Sequence, residues 1–177
     1  DNLVVSAYLQ CLLLTGARRE ELASLEWDDV DFKWCSMTIR DKVEGERTIP
    51  LTPYVASLMS SLPRRNQWVF SSPQAKSGRL RDPYRSHANA LKKADIPHIS
   101  LHGLRRSFGS LSEWVECPAG ISAQIQGHKP SATVEKHYRV RPLDLLTKWH
   151  TKIEKEILEF AGLDQPEYKF LGIRLAK

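Results

Sequence analysis

Apolar positions recur at helical spacing near both ends of the chain. Val5, Leu9, Leu12 and Leu13 form one stripe and predict a helix over Leu3–Thr15, stopped by Thr15-Gly16. Leu143, Leu146, Trp149, Ile153, Ile157 and Phe160 keep the same period behind Pro142, with Gly162 as the expected C-cap. A second helix is predicted from Ala17 to Leu25, with Leu22 and Leu25 facing inward. The period then changes. Ser36-Met37-Thr38-Ile39-Arg40 and Arg47-Thr48-Ile49-Pro50-Leu51 read as two strands of a hairpin around Gly45, and Pro50 points to an edge position. Thr52-Pro53 supplies an N-cap and a first-turn proline for a helix to about Leu62. Trp68-Val69-Phe70 reads as a short strand and Ser71–Arg81 as a loop. Further helices are predicted from Asp82-Pro83 to about Ala94, from His102 to about Trp114, and from Pro118 to Gln126. Pro130 opens a last short one that carries Tyr138 near its end. The pattern is a mainly α domain with a small antiparallel β-sheet.

A chain of 177 residues suits one well-cored domain better than two. The formal net charge of +5 favours a polyanionic partner such as nucleic acid. Three scattered cysteines, Cys11, Cys35 and Cys117, read as reduced thiols and a cytoplasmic setting. Cys11 and Cys35 lie in apolar patterns and are expected to be mostly buried. The chain contains no Cys-x-x-Cys pair, and neither a metal site nor a cofactor is expected. No apolar run reaches the roughly 20 residues of a membrane span. The chain opens inside a helical pattern without an initiator methionine, which reads as a fragment of a longer protein. Residues 163–177 read as a tail with an apolar cluster, Phe170-Leu171 and Ile173.

Several residues could carry chemistry. Arg18, one residue into the second predicted helix, follows a glycine break and lies three residues before Glu21, its natural partner. Arginine suits bidentate phosphate recognition. His102 and Arg105 are three apart on one helix, so an imidazole and a guanidinium share a face. Gly127-His128 occupies the gap between two short helices, where glycine permits close approach. Lys42 lies in the hairpin turn, where its flexible side chain can reach into a site. Tyr138 is flanked by Lys136, Arg139 and Arg141. A free phenol is almost fully protonated at pH 7 and becomes a nucleophile only among cations or beside a base. Taken singly, each of these residues fits a solvated surface or an ordinary helix end as well as a site.

Their order changes that. Thr15-Gly16-Ala17-Arg18-Arg19-Glu20-Glu21-Leu22, a hairpin lysine before Ile49-Pro50-Leu51, His102-x-x-Arg105, Gly127-His128, and Tyr138 ten residues on form a set. The set resembles the catalytic domain of the tyrosine recombinase (phage integrase) family, over about Val4–Trp149. One departure is Val140, where the family often has a histidine. Another is the lack of the family's N-terminal DNA-clamping domain, as a fragment would show.

The resemblance implies a site-specific recombinase whose tyrosine attacks the scissile phosphate. The products are a 3′-phosphotyrosyl link and a free 5′-hydroxyl, with no metal or ATP. It assigns Arg18 and Arg105 to the non-bridging oxygens, Lys42 to the leaving oxygen and His102 to proton transfer at Tyr138. His128 would donate to a phosphate oxygen and Glu21 would orient the pocket from behind. The implied partner is double-stranded DNA at specific attachment sites. The resemblance further implies that the full-length protein would form a homotetramer on DNA and that this fragment would be a monomer. Arg64, Arg65, Lys76, Arg79, Arg81, Arg85, Arg106, Arg139 and Arg141 are the candidates for DNA contacts. Alternatives are relaxation chemistry like that of type IB topoisomerases, or a DNA-binding module that has lost activity.

Overall fold

The computed structural model describes residues 2–41, 45–128 and 140–168. Tyr138, Lys42, Arg139, the predicted short helix after Pro130 and the apolar cluster Phe170-Leu171 and Ile173 lie outside the described residues.

Helix α1 (Leu3–Thr15) starts at Asn2, whose side chain accepts from the Val4 and Val5 amides. It is buried on more sides than a single stripe implies. Ala7, Tyr8, Cys11 and Leu14 are buried, whereas Leu9 and Leu13 are half-buried. The reason is its central place: α2 (Arg19–Ala23), α3 (Pro53–Ser60), α5 (Leu101–Trp114) and α7 (Leu143–Phe160) all pack against it. Gly16 ends α1 in the left-handed region (φ 59°), and a Cβ there would lie 2.7 Å from the Phe108 ring. That close approach seats the end of α1 on α5.

Helix α2 is shorter than the predicted Ala17–Leu25. Arg18 is its extended N-cap residue and not part of the helix. The Glu21 carboxylate accepts from the Arg18 amide at 2.8 Å, the glutamate half of a capping box.

The sheet has three antiparallel strands in the order β1 (Val30–Asp31), β2 (Ser36–Asp41), β3 (Gly45–Pro50). Pro50 therefore sits on an edge strand, where its missing amide costs no ladder bond. Ile39 pairs with Arg47, and Met37, Ile39 and Ile49 are buried. The two residues of β1 are too few to show a period. Cys35, in the turn before β2, is half-buried with φ 50°, so the expected core thiol is a turn residue. Cys11 and Cys117 are buried, and all three cysteines are free.

Trp68-Val69-Phe70 is not a strand. Trp68 makes an isolated bridge to Glu26, and the Val69 amide donates to Leu25 O at 3.0 Å. Val69 and Phe70 are buried all the same, Phe70 edge-on to Tyr8. Their apolarity reports core packing rather than pairing.

Thr52 stands at the N-cap of α3, but the cap bonds come from elsewhere. Glu154, buried on α7, accepts from the Tyr54 amide at 2.9 Å and the Val55 amide at 3.2 Å. Burial raises the Glu154 pKa against the pull of these bonds and of Gln165. One turn earlier on α7, His150 is buried. Its Nε2 lies 2.8 Å from Leu14 O, and its ring is edge-on to Phe108. Burial pulls the His150 pKa down to about 4. Gly162 follows α7 in the left-handed region (φ 66°) and reverses the chain as expected. Helix α4 (Tyr84–Lys93) and helix α6 (Ala119–Gln126) complete the frame, and the Ser100 side chain caps α5 through the Gly103 amide.

Candidate functional site

A cleft of about 380 Å³ opens where the start of α2 meets the start of α5. Arg18, His102 and Arg105 line it, with Ala17, Arg19, Glu20, Tyr84 and Leu101. Residues more than eighty positions apart in sequence thus meet at one opening. Arg105 is buried, and its Nη1 donates to Gly16 O and, at 2.7 Å, to Gln126 O. Gln126 answers through its side chain, Nε2 to Arg105 O at 2.8 Å. His102, one turn before Arg105, is exposed.

Arg18 is half-buried. Its Nη1 donates to Glu21 Oε1 at 2.7 Å and to Asp41 Oδ2 at 3.3 Å, and its Nη2 to Gly127 O at 3.2 Å. Glu21 is buried beneath, and Arg47 grips it with two bonds, Nη1 to Oε1 at 3.0 Å and Nη2 to Oε2 at 2.8 Å. Burial pushes the Glu21 carboxyl up, but hydrogen bonds from Arg47 and Arg18 outweigh it and hold it below the usual carboxylate range.

Helix α6 ends beside the cleft with Gly127 in the left-handed region (φ 73°) and the exposed His128 after it. The His128 amide donates to Ala123 O at 2.8 Å. The chain meets α6 again at Arg141, where the Gln124 side chain accepts from Arg141 N at 3.1 Å and donates to Arg141 O at 3.0 Å. His128 and Arg141, the two sides of the segment that contains Tyr138, are therefore fixed to the same helix.

The candidate DNA contacts are spread more widely. Arg65, Lys76, Arg81, Arg85 and Arg106 are exposed. Arg64 is exposed but stacks on the Trp27 ring at 4.5 Å. Arg79 lies against Trp68 and pairs with Glu20 at 3.6 Å, on the cleft wall. Arg141 is half-buried, with its guanidinium over Gly120. Arg19 also marks the rim, stacked on Tyr84 and bonded to its hydroxyl at 3.0 Å. No local spacing records the Arg47 or Gln126 contacts, because their partners lie on distant elements. Among the described residues, no group of His, Cys, Asp or Glu could hold a metal ion, and no helix is long and apolar enough to cross a membrane.

Residues 1–142 match the phage integrase family. The chain belongs to that family. Prophage integrase IntF of Escherichia coli (strain K12) is 63% identical over 170 residues, covering 92% of this chain and 36% of IntF. The integrase of mycobacterium phage Brujita superposes with a TM-score of 0.72 at 21% identity, over 86% of this chain and 52% of that one. The XerH site-specific recombinase, bound to its difH substrate, superposes with a TM-score of 0.61 at 18% identity, over 81% and 45%. The chain thus spans about a third of IntF and about half of the matched structures. Within this phage integrase domain, the cleft that gathers Arg18, His102 and Arg105 is the place to look for chemistry.

Proposed function

We propose that the chain is the catalytic domain of a tyrosine-type site-specific recombinase acting on double-stranded DNA, with Tyr138 as its nucleophile. The observation that carries this reading is the convergence of Arg18, His102 and Arg105 on one cleft, with His128 at the end of the helix that holds both arginines. The XerH site-specific recombinase is bound to its difH substrate, which supports a recombination site as the partner.

The phenolic oxygen of Tyr138 attacks the phosphorus and gives up its proton, with His102 assisting. A 3′-phosphotyrosyl bond forms as the bond to the 5′-oxygen breaks, and Lys42 protonates the departing oxygen. Charge that builds on the non-bridging oxygens is met by Arg18, Arg105 and His128. Both guanidiniums are already held, so little reorganisation accompanies the reaction. A 5′-hydroxyl from a second strand reverses the step. Because the phosphotyrosyl link conserves the phosphodiester energy, no ATP enters the scheme, and Arg18, Arg105 and His128 take the charge-stabilising part that a metal would otherwise play. Exposed Arg65, Lys76, Arg81, Arg85 and Arg106 contact the backbone and position the duplex. The full-length protein assembles as a homotetramer on DNA.

The test is covalent trapping on nicked duplexes with randomised core sequence. The wild type should retain radiolabel in a denaturing gel and Tyr138→Phe should not. Label retained by the Tyr138→Phe protein would remove Tyr138 as the nucleophile.

A further inference from the structure

Helix α6 ends with five successive carbonyls that lack partners within its own turns, and each is satisfied differently. Ala123 O and Gln124 O receive the His128 and Gly127 amides at 2.8 and 3.2 Å. The next three each bind a different arginine. Arg47 Nε donates to Ile125 O at 3.1 Å, Arg105 Nη1 to Gln126 O at 2.7 Å and Arg18 Nη2 to Gly127 O at 3.2 Å. Three guanidiniums at the negative end of one helix are also favoured by its dipole.

Arg105 and Arg18 line the cleft, whereas Arg47 stands behind it. Arg47 connects three elements. It comes from β3, binds both oxygens of Glu21 on α2, and holds Ile125 O on α6. Glu21 Oε1 is shared between Arg47 and Arg18, so the position of one guanidinium sets that of the other. The Arg47 guanidinium also lies so close under Gly127 that a Cβ there would come 2.6 Å from its Cζ. Gly127 is thus required both by its left-handed φ and by the arginine beneath it.

We propose that Arg47 is a positioning residue of the strand-transfer site. It fixes the Gly127-His128 step against Arg18 without itself meeting the phosphate. The inference rests on the proposed function. A plain ion pair with Glu21 would need neither the Nε bond to Ile125 O nor the contact under Gly127. A lysine can keep the charge but not the three-point grip.

The experiment compares Arg47→Lys and Arg47→Gln with wild type in two readouts. The first is the ring resonances of His128 and His150 in the DNA-free protein. The second is the single-turnover rate of adduct formation set beside duplex affinity. The His128 signals should shift or broaden while those of His150, in the core, stay in place. Adduct formation should slow by about 10²-fold, the scale of a misplacement near 1 Å, with affinity little changed. Unmoved His128 signals in both variants would overturn the proposal, and so would an unchanged rate when His128 has moved. Joint movement of His128 and His150 in both variants would make Arg47 a general structural residue and equally overturn it. If wild type itself forms no adduct with any duplex, the recombinase reading fails, while the His128 signals still report whether Arg47 positions that step.

Discussion

Arg105 and Arg18 bind adjacent carbonyls, Gln126 O and Gly127 O, at the end of a single helix. They belong to different elements, Arg105 to α5 and Arg18 to the cap of α2, yet their spacing is set by one peptide unit of α6. A pair placed this way can meet two oxygens of one phosphate with both guanidiniums already oriented.

Lysine at either position should fail despite keeping the charge. A lysine ammonium cannot bind the carbonyl and still present a planar fork to phosphate. Arg18→Lys and Arg105→Lys should each slow adduct formation by about 10²–10³-fold, or about 2.7–4 kcal/mol of transition-state stabilisation. The double variant should fall short of the product of the two, because both residues act on one group. Single-turnover trapping beside a duplex-binding titration measures both effects.

Gly127→Ala should destabilise the domain by at least the roughly 1–2 kcal/mol of a left-handed residue with a Cβ. Asparagine tolerates that conformation but still carries a Cβ toward Arg47, so Gly127→Asn should do no better. Gly162 is the control: its φ is 66° and nothing lies within 4 Å of a Cβ, so Gly162→Asn should be nearly neutral. Urea unfolding of the three variants decides the matter.

Buried His150 gives stability a pH dependence of known sign. Its folded pKa is depressed to about 4 by burial, so the unfolded chain binds the proton more readily. The contribution is complete above the unfolded value near 6.5 and is lost as pH falls toward 4. At full extent it amounts to about 3 kcal/mol. Among the described residues Nδ1 has no hydrogen-bond partner, so a proton there would be buried without an acceptor. Unfolding free energies from pH 7 to pH 4 should fall further for wild type than for His150→Gln.

Glu154→Leu should cost about 1.5–3 kcal/mol, the range for hydrogen bonds to a charged group, since the Tyr54 and Val55 amides lose their acceptor. Glu154→Gln, which keeps one oxygen, should recover part of the loss. Chemical denaturation of the two variants checks the order.

Periodicity and punctuation carried much of the fold. The strongly patterned helices and the Gly16, Gly127 and Gly162 reversals lie where the sequence puts them, because each depends on neighbours within a few residues. Arg18 was displaced from its expected helical place because the capping glutamate is present but the usual Ser or Thr at the cap is not. Trp68-Val69-Phe70 misled because a buried loop and a buried strand share an apolar composition. His150 and Glu154 fall between the apolar positions of α7, so the stripe by itself says nothing of their burial. The helix is in fact covered by more than one neighbour. Arg47 was invisible for another reason. Its bond to Ile125 spans 78 positions, and no local spacing records such a partner.

The Gln124–Arg141 pair gives the candidate site a common frame of reference. The chain leaves α6 at His128 and is tied back to it at Arg141, and carbonyls at the end of the same helix hold both cleft arginines. A tilt of α6 as a unit would carry those attachments along and leave their mutual distances intact. A bend between Gln124 and Gly127 would divide them. The alignment of these attachments then depends on the shape of the last turn of α6 and of the Gly127 step that follows it.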